Sequence, residues 1–300
     1  MNKILALLLT PLFSLLLLQQ EASAQATPNH VYQTVETLNS QLEQIIKANM
    51  LAIPDAKTPE KESRKPRHVY QKARTIYSIL QTYRKLNGLE ARALPNIPAE
   101  AIKPAEVQKL VQQTLTDTVD IARLYQAPLA ETTALPDGKK PDDVYVALTR
   151  TLELLQVLDV PRQQPNDVYQ IAATIMNVME EIAQARGITD YDKASNIIPG
   201  KTPEDVFKQA GGMLDMLRIE KPLFEMPNGA ATYTVPKTPI TPQEANEIMG
   251  LLLADLTVVK RNAGVTTATQ YAALEGGKNP NDVFERISTS YLVLLWLLGE

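Results

Sequence analysis

Apolar residues along this chain follow a four-and-three rhythm that restarts eight times. Counted from a Val at the head of each segment, positions 0, +4, +7, +11 and +14 are apolar. The first segment has Val31, Val35, Leu38, Leu42 and Ile45, the second Val69, Ala73, Ile76, Leu80 and Tyr83, the fifth Val168, Ala172, Ile175, Met179 and Ile182. That spacing lines one face of a helix and predicts inward-facing amphipathic helices. The seventh segment keeps the rhythm from Ala245 to Val259. The third keeps Val107 and Val111 but places Thr114 and Thr118 at the next two inward positions.

A polar phrase precedes each stripe: "TPNHVY" from Thr27, "KPRHVY" from Lys65, "KPDDVY" from Lys140, "QPNDVY" from Gln164, "TPEDVF" from Thr202 and "NPNDVF" from Asn279. Weaker copies start at Lys103 and Thr241. Pro suits the first helical position, where its missing N–H would have had no partner. The Asp, Glu or His two residues later can bond back to the cap residue, and an acid there favours the positive end of the helix. The phrase is therefore a helix start. Gly88, Gly187 and Gly264 each stand 22 residues past a motif Pro, where a left-handed residue ends a helix.

The motif prolines are Pro28, Pro66, Pro104, Pro141, Pro165, Pro203, Pro242 and Pro280, separated by 38, 38, 37, 24, 38, 39 and 38 residues. One short step in the middle predicts a duplication. The expected fold is all-α: two tandem four-helix bundle domains, residues 25–160 and 161–300, joined at 160–163. The long connections, such as 89–102, can return the length of a helix, so parallel and up-and-down orders are both open. Up-and-down is the commoner order and is the expectation. The short joint predicts a hairpin or bent continuation between the fourth and fifth helices.

Residues 1–24 read as a cleaved signal peptide: a charged start at Lys3, an apolar run from Ile4 to Leu18, and small residues Ala22 and Ala24 before the expected cut. The run is short for a membrane span. There is no Cys, so there are no disulfides, and burial must hold the chain together. The expected compartment is the periplasm, with secretion as the alternative, and no transmembrane segment in the mature chain.

Net charge is −4, which gives no pull toward nucleic acid. It is uneven, however. The first half carries about one net positive charge and the second about five net negative ones. The basic stretch includes Lys65, Arg67, Lys72 and Arg74, candidates for meeting an anionic surface.

Candidate chemistry is sparse. His30 and His68 both stand at the third helical position and read as polar helix-start residues rather than metal ligands. No Glu-x-x-His pair or Cys-x-x-Cys-His motif is present, and no cofactor is implied. The motif aromatics Tyr32, Tyr70, Tyr145 and Tyr169 are ligand or partner candidates, with Tyr291 and Trp296 on the final helix. That helix is apolar on every side from Tyr291 to Leu298, which predicts that Trp296 packs between the halves, if they touch, or meets a partner. Gly211–Gly212, inside an expected helix, mark a close helix contact or a kink rather than a phosphate cradle. The leading expectation is a non-catalytic, exported protein that binds a partner or serves an envelope system. The alternative is a small-molecule sensor or carrier with its ligand between helices. A third is a helical hydrolase or lyase using carboxylates, disfavoured by 5% aromatics and a single Trp.

Overall fold

The computed structural model describes residues 26–57, 61–189, 196–226 and 228–299; the expected leader lies outside them. These residues form eight helices: α1 (Pro28–Ala48), α2 (Pro66–Leu86), α3 (Pro104–Leu124), α4 (Pro141–Val157), α5 (Pro165–Ala185), α6 (Pro203–Ile219), α7 (Pro242–Asn262) and α8 (Pro280–Leu298). Among them no strand occurs beyond a single bridge between Ile97 and Thr269.

Every helix starts at its motif Pro. In all eight, the side chain at the third position accepts the backbone N–H of the N-cap residue, at 2.7–3.2 Å. Six of these acceptors are carboxylates. The other two are Nδ1 of His30 and His68, so each imidazole imitates a capping acid with its lone pair.

The predicted stripes form the core. Val35, Ile45, Ala172, Ile175 and Met249 are fully buried. Each such Val or Ile contributes roughly 1.5–3 kcal/mol by leaving water. Thr114 and Thr118 are buried too, and donate their hydroxyls at 2.8 Å to the carbonyls of Leu110 and Thr114, so the polar substitution leaves no group unpaired.

The helices within each half are parallel, not up-and-down as expected. Pro28, Pro66, Pro104 and Pro141, with the Val three residues after each, converge at one end of the first half around a cavity of about 10 Å³. Pro165, Pro203, Pro242 and Pro280 do the same in the second. The long connections carry the chain back each time. In the first half α1 and α2 sit diagonally and each touches α3 and α4; α5 and α6 likewise each touch α7 and α8.

The motif explains this arrangement. The second helical residue of one helix accepts the N–H of the residue just before the N-cap of the next. Asn29 takes Lys139, Asp142 takes Arg64, Asn166 takes Lys278 and Asn281 takes Lys201, all at 2.8 Å. The same four cations then lie over the motif aromatics: Lys139 on Tyr32, Arg64 on Tyr145, Lys278 on Tyr169 and Lys201 on Phe284, at 4.0–4.8 Å. The links run α1 to α4 to α2, and α5 to α8 to α6. The weak copies, α3 and α7, have Ala105 and Gln243 at the linking position.

The return paths repeat as well. Gln33 donates to the Thr133 carbonyl while the Thr133 N–H donates to Thr37. In the second half Gln170 donates to the Ala272 carbonyl, and the Ala272 N–H to Thr174. A Gln and a Thr one turn apart thus pin the connection that follows the third helix onto the first helix of each half.

The halves meet where α2 crosses α7. Arg67 and His68 contact Asp255, while Lys72, further along α2, contacts Glu247, earlier on α7. The two helices are antiparallel, so the bundles point in opposite directions and the joint after α4 reverses the chain.

Candidate ligand site between the two bundles

The seam between α2 and α7 is polar and buried. His68 Nδ1 accepts the Lys65 backbone N–H at 3.0 Å, which places the ring proton on Nε2, 2.8 Å from Asp255 Oδ1. Asp255 is wholly buried and also accepts from Arg67 Nε and from the Ala231 N–H, both at 2.6 Å. Burial pushes the His68 pKa down, and the attraction of Asp255 only partly opposes it, so the imidazole is neutral. Desolvation pushes Asp255 up, but its cationic and hydrogen-bonding neighbours outweigh this and hold it below the usual carboxylate range. Both ring nitrogens of His68 are engaged, which leaves no lone pair to serve as a general base.

Beside this pair, Lys72 is ion-paired with Glu247, which also accepts the Tyr145 hydroxyl at 3.1 Å. The Lys72 ammonium and the Arg64 guanidinium both lie over the Tyr145 ring, at 4.3 and 4.8 Å. Arg64 crosses to the second half, donating to the Thr232 carbonyl at 2.9 Å. Desolvation acts to raise Glu247, but Lys72 and the bonds from Lys72 and Tyr145 prevail and hold it low. Tyr145 is pushed well above the ordinary phenol range, by burial first and Glu247 second, and stays protonated.

A cleft opens on each side of the seam. The larger, about 410 Å³, has Val146, Phe207, Ile248 and Leu251 against it, Tyr145 and Tyr233 along it, and Glu62, Asp142, Glu244 and Glu247 among its polar groups. Its shape depends on Gly211 of α6. A Cβ there would stand 2.5 Å from the Tyr233 hydroxyl, so only glycine admits that ring. Tyr233 then packs edge-on against Phe207 and bonds Asp215 at 3.1 Å. The close contact at Gly211–Gly212 is with this loop tyrosine and not with a helix as expected, and it involves Gly211 alone. The smaller cleft, about 260 Å³, lies beside the joint between Gln71, Arg74 and Thr75 of α2, residues 161–164, and Asn246 of α7.

Of the aromatic candidates, Tyr145 alone lines the larger cleft. Tyr32 and Tyr169 carry the cations that tie their bundles together; Tyr70 is buried and donates to the Asn96 carbonyl. Tyr291 packs on the core of the second half, and Trp296 is 45% exposed. Trp296 is not between the halves, because α8 touches only α5 and α6. The cations expected on an anionic surface are largely turned inward. Arg67 and Lys72 pair with Asp255 and Glu247, Arg74 is buried against Tyr271, and Lys65 stays half-exposed at the start of α2. The physical reason lies in the charge asymmetry: the basic half meets the acidic half of its own chain. Asp255 and Glu247 were not anticipated. Asp255 had a signal, a single acid inside the apolar run from Leu251 to Val259.

The sequence matches no protein-family model, and no curated protein or solved structure is similar to it.

Proposed function

We propose that this chain is an exported, non-catalytic binding protein that holds a small molecule between its two bundles, in the cleft beside Tyr145. The observation carrying this reading is a contrast in packing. The convergent helix starts enclose only about 10 Å³ in each bundle, whereas the cleft between the halves is about 410 Å³. Small-molecule sites favour domain interfaces, with apolar walls and a few placed polar groups. An apolar floor under Ile248 and Leu251 with carboxylates around it suits a ligand having an apolar body and a cationic or hydrogen-bond-donating end. A periplasmic address rests on the apolar run from Ile4 to Leu18 and the small residues after it. Among the described residues no helix is long and apolar enough to cross a membrane.

The test is a thermal-shift screen of small amines and other metabolites, run in parallel on Val146→Trp. That substitution fills the cleft without removing a bond of the seam. A compound that stabilises the wild type and not the variant supports the reading. A screen in which every stabilising compound acts equally on both overturns it.

Docking of a partner protein is a second reading with its own observation. The parallel order brings the ends of α1, α2 and α3 together, where Met50, Leu51, Leu86 and Leu124 are exposed. Loss of a captured partner on Leu86→Glu with Leu124→Glu, at unchanged melting temperature, would favour it.

A further inference from the structure

We propose that the smaller cleft, beside the joint, is a separate binding site for a small hydroxylated carboxylate. This inference concerns the opposite side of the seam and stands apart from the Tyr145 cleft.

The first observation is Arg74. It lines this cleft, is 5% exposed, and has no ion-pair partner among the described residues. Its Nε donates to the Pro95 carbonyl at 2.9 Å and its guanidinium lies on the face of Tyr271. Burial raises the pKa of the Tyr271 phenol, so that group is neutral and supplies no countercharge. A buried cation without an opposite charge is costly unless something pairs with it. The other Arg and Lys side chains of the seam each have a carboxylate: Arg64 has Glu62, Arg67 has Asp255 and Lys72 has Glu247.

The second observation is Asn246. It is 5% exposed, lines the same cleft, and its amide makes no hydrogen bond among the described residues. Its amide atoms are not sealed in the core as the Gln163 oxygen is, so they are open to the cleft that the residue lines. Gln163 Oε1, also in the lining, is buried without a partner. These are donors and acceptors together, the complement a hydroxyl needs, since it both gives and takes.

Charge restricts the ligand further. Arg74 and Arg162 stand against one lining carboxylate, Asp167, whose Oδ2 is already held by the Gln164 N–H at 2.7 Å. One surplus positive charge and one buried guanidinium match a single carboxylate better than a phosphate dianion. The guanidinium takes the carboxylate, and the Asn246 amide with the Thr75 and Ser78 hydroxyls faces the ligand's own hydroxyls. Ile79 and Leu274 offer an apolar wall to its carbon skeleton. The volume of about 260 Å³ lies below the usual range for drug-sized ligands, so the compound is small.

The experiment is calorimetric titration of the protein with D-glucuronate, D-gluconate and L-lactate, with D-glucose and inorganic phosphate as comparisons. At least one carboxylate should bind saturably at millimolar concentration or below, and both glucose and phosphate should bind more weakly. Arg74→Gln should weaken the carboxylate roughly tenfold or more, the scale of a lost charged hydrogen bond, and Arg74→Lys less. Asn246→Leu, which removes no bond of the fold, should abolish binding at unchanged melting temperature and carries the test if Arg74→Gln does not fold. Val146→Trp should leave this binding intact, which separates the site from the Tyr145 cleft. Failure of all three carboxylates, tighter binding of glucose or phosphate, or binding indifferent to Asn246→Leu would overturn the proposal.

Discussion

His68 on α2 donates its Nε2–H to Asp255 on α7 across 2.8 Å, while its Nδ1 holds the first backbone N–H of its own helix. One side chain thus caps a helix and joins the halves, and it does both only when neutral. The unfolded chain takes up a proton on this residue near pH 6.5. The folded chain takes it up only at lower pH, because burial depresses the group. Between those values the unfolded state holds more protons, so stability rises with pH. The contribution is complete above about pH 6.5 and is lost as pH falls below it. Urea melts at pH 7.5, 6 and 5 should show this loss. His68→Gln, whose amide can replace both bonds, should show a flatter profile. A wild type whose stability is constant or rises on acidification through this range would contradict the assignment.

Gly211 and Gly212 are neighbours in α6 with opposite expected responses. A Cβ on Gly211 would meet the Tyr233 ring at 2.5–2.7 Å, whereas one on Gly212 would meet nothing within 4 Å. Gly212→Ala should therefore stabilise by about 0.5–1 kcal/mol, the helix preference of Ala over Gly. Gly211→Ala should destabilise, because Tyr233 must leave its place against Phe207 and Asp215. The cost should shrink in a Tyr233→Ala background, which a double-mutant cycle measures.

The links between helix starts give a third prediction. Asn166→Ala removes the acceptor for the Lys278 N–H, and Asn29→Ala the acceptor for Lys139. Each should cost about 1–3 kcal/mol if the freed N–H finds no water, and less where water reaches it. Ala105, the equivalent residue in α3, makes no such link and stands in the first turn, so Ala105→Gly should cost well under the ~1 kcal/mol of a helix interior and less than either Asn variant. Denaturant midpoints for the three variants decide it. Equal losses would show that the Asn bonds carry nothing specific.

The helices, their starts and the duplication were legible because each is written locally: the cap, the Pro and the stripe lie within one segment. The parallel order was not, because a connection such as 89–102 can run in either sense. The deciding bonds, such as Asn29 to the Lys139 N–H, join residues far apart in the chain. The repeated wording of the motif concealed this role, since Tyr32 and Tyr169 looked available for ligands while each serves its neighbour's cation. The site lay further out of reach. Lys72 and Glu247 are both polar helix residues by sequence, and only the packing of α2 on α7 shows that they belong together. The uneven charge of the halves pointed that way, but an external anion would satisfy the same pattern.

The ends of the helices hold one more test. The five 21-residue helices all finish on a residue with positive φ, 22 positions past the motif Pro. Three are Gly88, Gly187 and Gly264, and the other two are Met50 at φ 56° and Gln126 at φ 52°. Glycine tolerates that conformation freely, whereas a residue with a Cβ pays roughly 1–2 kcal/mol in steric crowding. Met50 is 94% exposed, so replacing it sacrifices little packing. Met50→Gly should therefore stabilise the protein by up to about 1 kcal/mol, the relief being partly offset by the greater freedom of glycine in the unfolded chain. Gly88→Ala, with open space around its missing Cβ, should destabilise through backbone strain alone. Thermal melts of both variants, read against the wild type, should move in opposite directions. A Met50→Gly protein that melts lower would mean that the exposed methionine, not the backbone angle, governs the end of α1.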